Sequence, residues 1–220
     1  MKKAIVSLLT AIVFCLSCSD KQEDRHWVQH FIPTYLTGTY YLTALSDNQR
    51  IALSICDVRY ISSPDKYPGI RAERYLEIAE RNGDMSYNRF ADYDWAFRSA
   101  YADNFASLHL TSDKDWDEAH PAGTPLDDLI WVKAGCYGPY IQRGYTGEGI
   151  HFIDKRLDRI ATDEFCVVTD LGVYRNPDFC FLSVPDKDEL HTLTLTITTT
   201  DGTIHTPTIT IRPREYSLIE

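Results

Sequence analysis

The pattern that most constrains the fold of this chain is a regular alternation of threonine and aliphatic residues near the C-terminus. From residue 192 to residue 198, threonine occupies every even position, and the odd positions carry Leu193, Leu195 and Ile197. A period of two places one kind of side chain on each face of an extended segment. This stretch is therefore predicted to be a β-strand with one buried face.

The dipeptide Asp201-Gly202 follows that strand and predicts a hairpin turn into a second β-rich run. A two-residue turn would put the aliphatic residues of the two strands on opposite faces. A three-residue turn, with Gly202 in the left-handed region, pairs Leu193 with Ile209 and keeps them on one face. We predict this turn, or a bulge beside Pro207 that repairs the register. Because proline cannot donate to a ladder, the second strand is expected at a sheet edge or bulged at Pro207.

The rest of the chain alternates short β-like runs with turns. Residues 35–61 predict two strands that are joined by a polar turn at residues 46–49. In residues 105–111 the apolar side chains alternate with polar ones, which predicts a strand whose inward residues are Ala106, Leu108 and Leu110. Further strands are predicted at residues 93–100, 165–170 and 179–184.

Three other segments have helical features. Apolar residues recur at the spacing of an amphipathic helix at Ile150, Ile153, Leu157 and Ile160. A short helix is predicted at residues 126–132, and residues 71–81 fit either a helix or a strand. Several short strands separated by turns, ending in a long hairpin, predict a mainly β fold. We expect an immunoglobulin-like β-sandwich with one or two short helical insertions.

The N-terminus resembles the leader of a bacterial lipoprotein precursor. Lys2 and Lys3 precede an apolar run, residues 4–16, that is shorter than the about 20 apolar residues needed to span a membrane. The sequence Cys15-Leu16-Ser17-Cys18 is similar to a lipobox, in which a small residue directly precedes the cysteine that receives diacylglycerol. The resemblance implies that residues 1–17 are a signal peptide and that the lipid on Cys18 attaches the mature chain to a membrane. In the alternative, a plain secretory cleavage leaves Cys18 as an ordinary thiol.

The residues after Cys18 are polar and charged. Residues 19–25 contain no apolar side chain and cannot join a core. Residues 18–30 are therefore interpreted as a flexible tether, and residues 31–220 as one folded domain. The charged run is also similar to the acidic export signal of many Bacteroidetes lipoproteins. This similarity implies an outer-membrane lipoprotein that faces the cell surface rather than the periplasm.

The charge of the chain argues against one class of partner. The formal net charge is −10, with 22 basic and 32 acidic residues, and no Lys/Arg-rich run interrupts them. Loss of Lys2 and Lys3 with the leader would leave 20 basic residues and a net charge of −12. An acidic surface repels phosphate backbones, so nucleic acid is not expected as a partner.

The domain that follows the tether contains four cysteines. Cys56, Cys136, Cys166 and Cys180 are an even number, which permits two disulfides in an exported protein with three possible pairings. Buried free thiols are the alternative. No Cys-x-x-Cys sequence is present, so structural zinc and thioredoxin-like redox chemistry lack support.

Residues 110–129 carry a resemblance to a protein family. This segment, with Trp116, His120-Pro121 and Gly123, resembles one that recurs in uncharacterised Bacteroides-type cell-envelope lipoproteins. Those proteins share a lipobox and a C-terminal hairpin of the Asp-Gly kind. The resemblance implies an immunoglobulin-like sandwich and a cell-envelope location, and it brings no activity with it.

One pattern in the sequence suggests calcium ligands but does not fit an EF-hand. Asp113, Asp115 and Asp117 alternate like the start of a calcium-binding loop. An EF-hand needs glycine where Glu118 stands and a bidentate glutamate where Thr124 stands, so an EF-hand is rejected. A looser calcium site remains one hypothesis, and a turn whose carboxylates cap backbone amides is the other.

A second pair of candidate ligands precedes the predicted domain. His26 and His30 have the four-residue spacing of a helical zinc pair, yet no glutamate follows the first histidine as in a zinc protease. We expect no metal and no cofactor.

The sequence offers no recognisable catalytic signature. A Gly-x-Ser-x-Gly elbow and a phosphate-binding loop are both missing from the sequence. Paired carboxylates for glycoside hydrolysis meet in space rather than in sequence, so a hydrolase stays open as a second alternative.

The aromatic residues give more information about function than the catalytic motifs do, because the chain contains 14 tyrosines and four tryptophans. In a surface protein, exposed rings stack on sugars or anchor a protein partner. The expected ligand contacts are Trp116, Tyr137, Tyr140 and Tyr145, and burial in a sandwich core is the alternative for each. The function expected from the sequence is a non-enzymatic binding or adhesion module of the cell envelope. Its partner is a glycan or another envelope protein, and the first alternative is a glycan-binding accessory protein of polysaccharide uptake.

Overall fold

The structure is a computed structural model, and it describes residues 26–169 and 176–217. Strands dominate these residues. The strands and α-helices are, in chain order, β1 (Trp27–Val28), β2 (Thr34–Leu45), β3 (Arg50–Ser62), α1 (Glu73–Arg81), β4 (Arg89–Phe90), β5 (Ala100–Tyr101), β6 (Phe105–Ser112), β7 (Ile130–Cys136), α2 (Gly138–Gln142), β8 (His151–Arg156), β9 (Asp178–Phe181), β10 (His191–Thr199), β11 (Ile204–His205) and β12 (Thr208–Ile211). Short 3₁₀ helices lie at Trp95–Phe97, Asp127–Leu129, Leu157–Arg159 and Thr162–Glu164.

The strands form three sheets. A six-stranded sheet has the order β5-β2-β3-β9-β7-β8, and its pairs are antiparallel except for the parallel pair of β2 and β5. A four-stranded sheet is built on β10, which pairs with β6 along one edge and with β11 and β12 along the other. The third sheet is the short pair of β1 and β4. The fold is mainly β with few and short helices, as the sequence predicts.

The two larger sheets share one hydrophobic core. Inward residues of the four-stranded sheet and of the six-stranded sheet belong to the same buried cluster. The contributors from the smaller sheet include Leu108, Leu110, Leu193, Leu195 and Ile197, and those from the larger sheet include Leu42, Ile51, Leu53, Val132, Ile153 and Phe179. Burial of this apolar surface is the main force that holds the sheets together.

A second buried cluster lies outside this shared core and is rich in aromatic residues. It joins the chain before β2 to both α-helices and to the segment between α1 and β5. Its aromatic members are Phe31, Tyr35, Tyr75, Tyr87, Trp95, Tyr137, Tyr140 and Tyr145. This aromatic cluster supports the candidate site described below.

The C-terminal hairpin has the predicted three-residue turn. The N–H of Thr199 donates to the carbonyl of Thr203 at 2.9 Å, and Gly202 has a φ of 86°. Leu193 pairs with Ile209, which places their side chains on one face. Pro207 falls between β11 and β12 on the edge strand, where its missing N–H breaks no interior ladder.

Other sequence predictions are also confirmed. The hairpin of β2 and β3 turns at residues 46–49, and Ile51 and Leu53 of β3 are buried. Strand β6 buries Leu108 and Leu110 as predicted, whereas Ala106 is only partly buried because the pairing with β10 shifts register there and Phe105 is buried instead. Residues 71–81, left open between helix and strand, contain α1, because Tyr75, Ile78 and Ala79 form one buried helical face.

The predicted amphipathic helix at residues 150–160 is wrong. Residues 151–156 are strand β8, which pairs antiparallel with β7 from Cys136↔His151 to Trp131↔Arg156. Ile153 enters the shared core, and Leu157 begins a 3₁₀ turn. The helix-like spacing of the four apolar residues arises because the strand and the 3₁₀ turn each bury apolar side chains independently. Hydrogen-bonded pairing with β7, rather than this spacing, determines the secondary structure of the segment.

Three further predictions are wrong, and a fourth gives too long a strand. The predicted helix at residues 126–132 is a single 3₁₀ turn followed by β7, where Ile130 and Val132 point into the core. The predicted strand at residues 93–100 contains the 3₁₀ turn Trp95–Phe97 and keeps only Ala100 in β5. In residues 165–169 there are isolated bridges in place of the predicted strand. The strand predicted at 179–184 is the shorter β9.

The structure also moves the start of the folded part. Residues 26–30 were assigned to the tether, but β1 pairs with β4, and Val28 and His30 are buried. A segment that buries such residues cannot be a flexible tether, so the folded part begins by Trp27. The predicted signal peptide, Cys18 and residues 19–25 lie outside the described residues. Among the described residues, no helix combines the length and apolar character needed to span a membrane.

Candidate functional site

The candidate site is an open cleft of about 750 Å³ beside the aromatic cluster. Aromatic rings and charged groups share its lining, which is formed by residues from four separate stretches of the chain. The lining residues are Phe31, Tyr87, Asp92, Asp94, Phe97, Arg98, Tyr137, Tyr140, Glu148, Gly149, Ile150 and Phe152. We refer to it as the aromatic cleft. A concave site with apolar walls and a few polar groups is the usual form of a small-molecule site.

Phe31 lies at the floor of the cleft, and a buried carboxylate fixes its backbone. Asp84 accepts hydrogen bonds from the N–H groups of Phe31 and Ile32, each at 2.8 Å. The Phe31 ring centroid lies 4.8 Å from that of Tyr140 and 5.3 Å from that of Tyr137. The hydrogen bond to Asp84 therefore fixes the backbone of Phe31, and the two tyrosine rings fix the position of its side chain.

Segment 92–98 forms one wall of the cleft. Its anchor is Trp95, which is buried and donates its indole N–H to the carbonyl of His30 at 2.9 Å. The 3₁₀ turn then leaves Phe97 with 65% of its surface exposed. A buried tryptophan and an exposed phenylalanine two residues apart are the result of this turn, because a strand would direct both side chains to one face.

Arg98, at the end of the same segment, contributes its guanidinium group to the floor of the cleft. Its guanidinium carbon lies 4.3 Å from the Phe31 ring centroid, within the range of a cation–π contact. Nη2 donates to Asp92 Oδ2 at 2.5 Å, whereas Nη1 is buried and has no hydrogen-bond partner among the described residues. The guanidinium of Arg98 is therefore held inside the floor by Asp92 and Phe31, and its Nη1 nitrogen is not open to the cleft.

The helix α2 and strand β8 supply the remaining rings. The N–H of Tyr137 donates to the carbonyl of Val167 at 3.0 Å, and α2 begins at the next residue with a proline in its first turn. This places Tyr137 and Tyr140 in the floor. Phe152 of β8 is 51% exposed and stands at the rim.

A buried polar network underlies the floor. The Tyr145 hydroxyl donates to Asp84 Oδ1 at 3.0 Å. Burial raises the pKa of Asp84 although the backbone N–H groups of Ile32 and Phe31 act in the opposite direction. Burial and the neighbouring Asp84 also raise the pKa of Tyr145 well above its ordinary value, so it stays a neutral donor.

Only one of the three carboxylates that line the cleft has an ion-pair partner among the described residues. Asp92 is ion-paired with Arg98, whereas Asp94 and Glu148 are exposed and have no ion-pair partner within the described part of the chain. Three carboxylates against one guanidinium give the lining a net charge of −2. Exposed carboxylates of this kind accept hydrogen bonds from hydroxyl or amine groups.

The structure brings three of the four predicted ligand-contact aromatics together. Tyr137 and Tyr140 line the cleft, and Tyr145 packs directly behind it, with its ring centroid 5.8 Å from that of Tyr140. All three are largely buried, so they form the floor and its support rather than an exposed platform.

Trp116 lies in the other core and is only 1% exposed. Its indole N–H donates to Ser183 Oγ at 3.1 Å, and its ring packs against Phe181. The expectation that Trp116 contacts a ligand is wrong, because no surface of the ring remains to be offered.

Sequence reasoning missed most of the lining. Phe31 was placed at the start of the domain without a role, and Phe97 was assigned to a strand. The signal that was available is the dense mixture of rings and charges between Arg89 and Arg98. A core strand of this length does not carry so many charged residues, so the mixture indicates a partly exposed segment.

The aspartates of the predicted calcium turn cap backbone groups. Asp113 Oδ1 accepts from the N–H of Thr192 at 2.7 Å, and Asp115 Oδ1 accepts from the N–H of Ala122 at 2.8 Å. Asp117 Oδ1 accepts from His120 Nδ1 at 2.7 Å. The geometry favours the capping hypothesis over the looser calcium site.

The two N-terminal histidines both contact Asp65, in the loop that follows β3. His30 Nδ1 lies 2.9 Å from Asp65 Oδ2, and His26 Nε2 lies 2.6 Å from the carbonyl oxygen of Asp65. Among the described residues, no group of three or more His, Cys, Asp or Glu side chains is arranged to hold a metal ion.

The four cysteines of the described domain are free thiols. Cys136 and Cys180 are buried, Cys166 is partly buried and Cys56 is exposed. Burial raises the pKa of Cys180 to about 11. This favours the alternative of inert buried thiols for Cys136 and Cys180.

Comparison with protein-family models, curated proteins and solved structures gives no match to this chain.

Proposed function

We propose that this protein is a non-enzymatic glycan-binding module of the bacterial cell envelope. The observation that carries the proposal is the aromatic cleft, in which Phe97 and Phe152 expose their rings above a floor of buried rings. A sugar ring has apolar C–H faces and a polar rim of hydroxyls, so it needs both stacking surfaces and hydrogen-bonding groups. The cleft offers the first in its phenylalanines and the second in the exposed carboxylates of Asp94 and Glu148.

Binding without cleavage fits the carboxylates better than hydrolysis does. A glycoside hydrolase uses a carboxylic acid in apolar surroundings as its proton donor. In the aromatic cleft Asp92 is engaged by Arg98, and Asp94 and Glu148 are exposed to water. The most enclosed carboxylate nearby, Asp84, is engaged by two backbone N–H groups and a tyrosine under the floor.

A glycan array tests this function. The mature domain, labelled at its C-terminus, is expected to bind a subset of array glycans, and the free oligosaccharide is expected to compete for binding. The bound oligosaccharide is then incubated with the protein overnight and analysed by chromatography. Intact recovery supports a binding module, whereas shortened products support a hydrolase. Absence of binding to every glycan on the array would reject the proposal.

We also propose that lipid on Cys18 holds this module to the outer membrane, facing the cell surface. The support is the lipobox-like sequence and the charged residues that follow it. Mass spectrometry of the protein from its native host is expected to show an N-terminal acylated Cys18. Protease treatment of intact cells is expected to remove the domain if it faces outward.

The two facing sheets are further proposed to form an immunoglobulin-like sandwich. Their antiparallel hairpins and shared core support this class. The parallel pair of β2 and β5 is an addition to the simplest form of that fold.

A further inference from the structure

We infer that the aromatic cleft selects neutral or amine-bearing glycans and rejects those that carry carboxylates. This inference rests on the proposed function and names the ligand class of the same site. It follows from the charges and rings of the lining, taken together.

The first step is the charge at the rim. Asp94 and Glu148 are exposed, line the cleft and have no ion-pair partner among the described residues. An anionic ligand in the cleft would approach both carboxylates closely. Two unit charges at 4 Å interact by about 1 kcal/mol even in bulk water, and more strongly beside apolar walls.

The second step is the state of Arg98, the cation in the lining. Its charge is compensated by Asp92 at 2.5 Å and its face is covered by the Phe31 ring. The Nη1 nitrogen is enclosed as well and is not open to a ligand in the cleft. Arg98 therefore does not present an uncompensated positive charge to a bound ligand.

Two further guanidinium groups lie near the cleft and are held by backbone carbonyls. Arg89 donates to the carbonyl of Tyr145 at 3.0 Å, and Arg143 donates to those of Thr146 and Glu148 at 3.4 Å and 3.3 Å. Neither belongs to the lining. Both keep their positive charge but lie outside the lining, so the carboxylates of the lining are the unpaired charges that a bound ligand contacts.

The third step is the exposed rings. The ring of Phe97 is 65% exposed and has a negative quadrupole on its face, which stabilises ammonium groups and repels carboxylates, and Phe152 stands at the rim of the same cleft. The rings and the carboxylates thus favour the same ligands. An amino sugar satisfies both, and a neutral sugar is repelled by neither.

The test uses hexamers of matched length and linkage. Calorimetry compares β-1,4- and α-1,4-linked hexamers of glucose, their C6-oxidised glucuronic acid forms, and the β-1,4-linked hexamer of glucosamine. In dilute buffer the oxidised hexamer is expected to bind about tenfold more weakly than its glucose parent, and the glucosamine hexamer at least as tightly. The difference is expected to shrink near 1 M salt, where the screening length falls to about 3 Å.

The double variant Asp94→Asn, Glu148→Gln removes both unpaired charges and keeps an oxygen acceptor at each position. The affinity for the oxidised hexamer, relative to that for the glucose hexamer, is expected to be about tenfold higher in this variant than in the unmodified protein, whatever the change in the affinity for the glucose hexamer itself. The matched control is Glu118→Gln, Glu215→Gln, which changes two exposed carboxylates outside the cleft. This control is expected to leave the ratio between the hexamers unchanged.

Each outcome has a distinct meaning. Equal or tighter binding of the oxidised hexamer would overturn this inference and leave the glycan-binding function in place. If none of the hexamers binds, the neutral and carboxylated members of the glycan array decide in the same way. If no array glycan binds at all, the proposed function fails and this inference fails with it.

Discussion

Asp84 Oδ1 lies 2.8 Å from the backbone nitrogen of Phe31, which is 53 residues earlier in the chain. This hydrogen bond joins the segment after α1 to the chain that enters β2. It also sets the position of the ring at the centre of the cleft floor. A single buried carboxylate thereby links the stability of the aromatic cluster to the geometry of the candidate site.

Replacement of Asp84 should therefore destabilise the protein. In Asp84→Ala the N–H groups of Phe31 and Ile32 and the Tyr145 hydroxyl lose their acceptor inside the fold. The expected loss in the free energy of unfolding is about 3 kcal/mol, measured by urea unfolding followed by circular dichroism. Asp84→Asn keeps one acceptor oxygen and should lose less. Unchanged stability in the alanine variant would contradict the anchoring role.

Trp116 should matter for stability and not for ligand binding. Trp116→Ala empties a fully enclosed position between Phe181 and His191, and a loss of about 3–5 kcal/mol is expected. Trp116→Phe keeps most of the volume and should stay folded with unchanged glycan affinity. If Trp116→Phe lost binding while its unfolding curve stayed the same, the placement of this ring in the core would be refuted.

His191 should make the fold sensitive to mild acid. Burial lowers the pKa of this imidazole, which lies 2.8 Å from Ser112 Oγ, so the folded state favours the neutral ring. The unfolded chain takes up the proton near pH 6.5, and stability should fall as the pH drops below that value. Urea midpoints measured between pH 8 and pH 5 test this, with His191→Gln expected to show a shallower decline. An identical decline in that variant would assign the effect to other groups.

Two glycines should differ sharply in their tolerance of a side chain. A Cβ at Gly38 would overlap the side chain of Ile55 and the carbonyl oxygen of Cys56, where β2 and β3 shift register. Gly38→Ala is expected to cost about 2 kcal/mol or more. Gly202 has open space around it and only an unfavourable φ, so Gly202→Ala should cost about 1 kcal/mol. Thermal unfolding of both variants provides the comparison, and a reversed order would argue against the β2–β3 packing.

The parts of the fold that follow from the sequence are those set by neighbouring residues. The alternation at Leu193 and Leu195 and the glycine at position 202 determine the C-terminal hairpin within some twenty residues, so its register was predictable. Residues 150–160 were not, because β8 exists only through its pairing with β7. A single-sequence pattern contains no information about which edge is free to accept a strand.

The cleft was less predictable than the fold, for the same physical reason. The sequence analysis selected Tyr137, Tyr140 and Tyr145, and the structure places them in the floor of the cleft or directly behind it. Their partner Phe31 and the wall that carries Phe97 come from segments far away in the sequence. Contacts such as that of Asp84 with Phe31 bring these segments together, and such contacts leave no local pattern.

The most direct test of the account is the effect of the two exposed rings on glycan affinity. Phe97→Ala and Phe152→Ala remove exposed stacking surface and should leave the buried aromatic cluster folded. Tyr60→Ala is the matched control, because Tyr60 is a highly exposed ring of β3 that does not line the cleft. Calorimetry with the tightest array glycan should show about five- to thirtyfold weaker binding for each phenylalanine variant, from a loss of about 1–2 kcal/mol of stacking, and unchanged binding for Tyr60→Ala. Equal affinities in all four proteins would contradict the assignment of the aromatic cleft as the binding site.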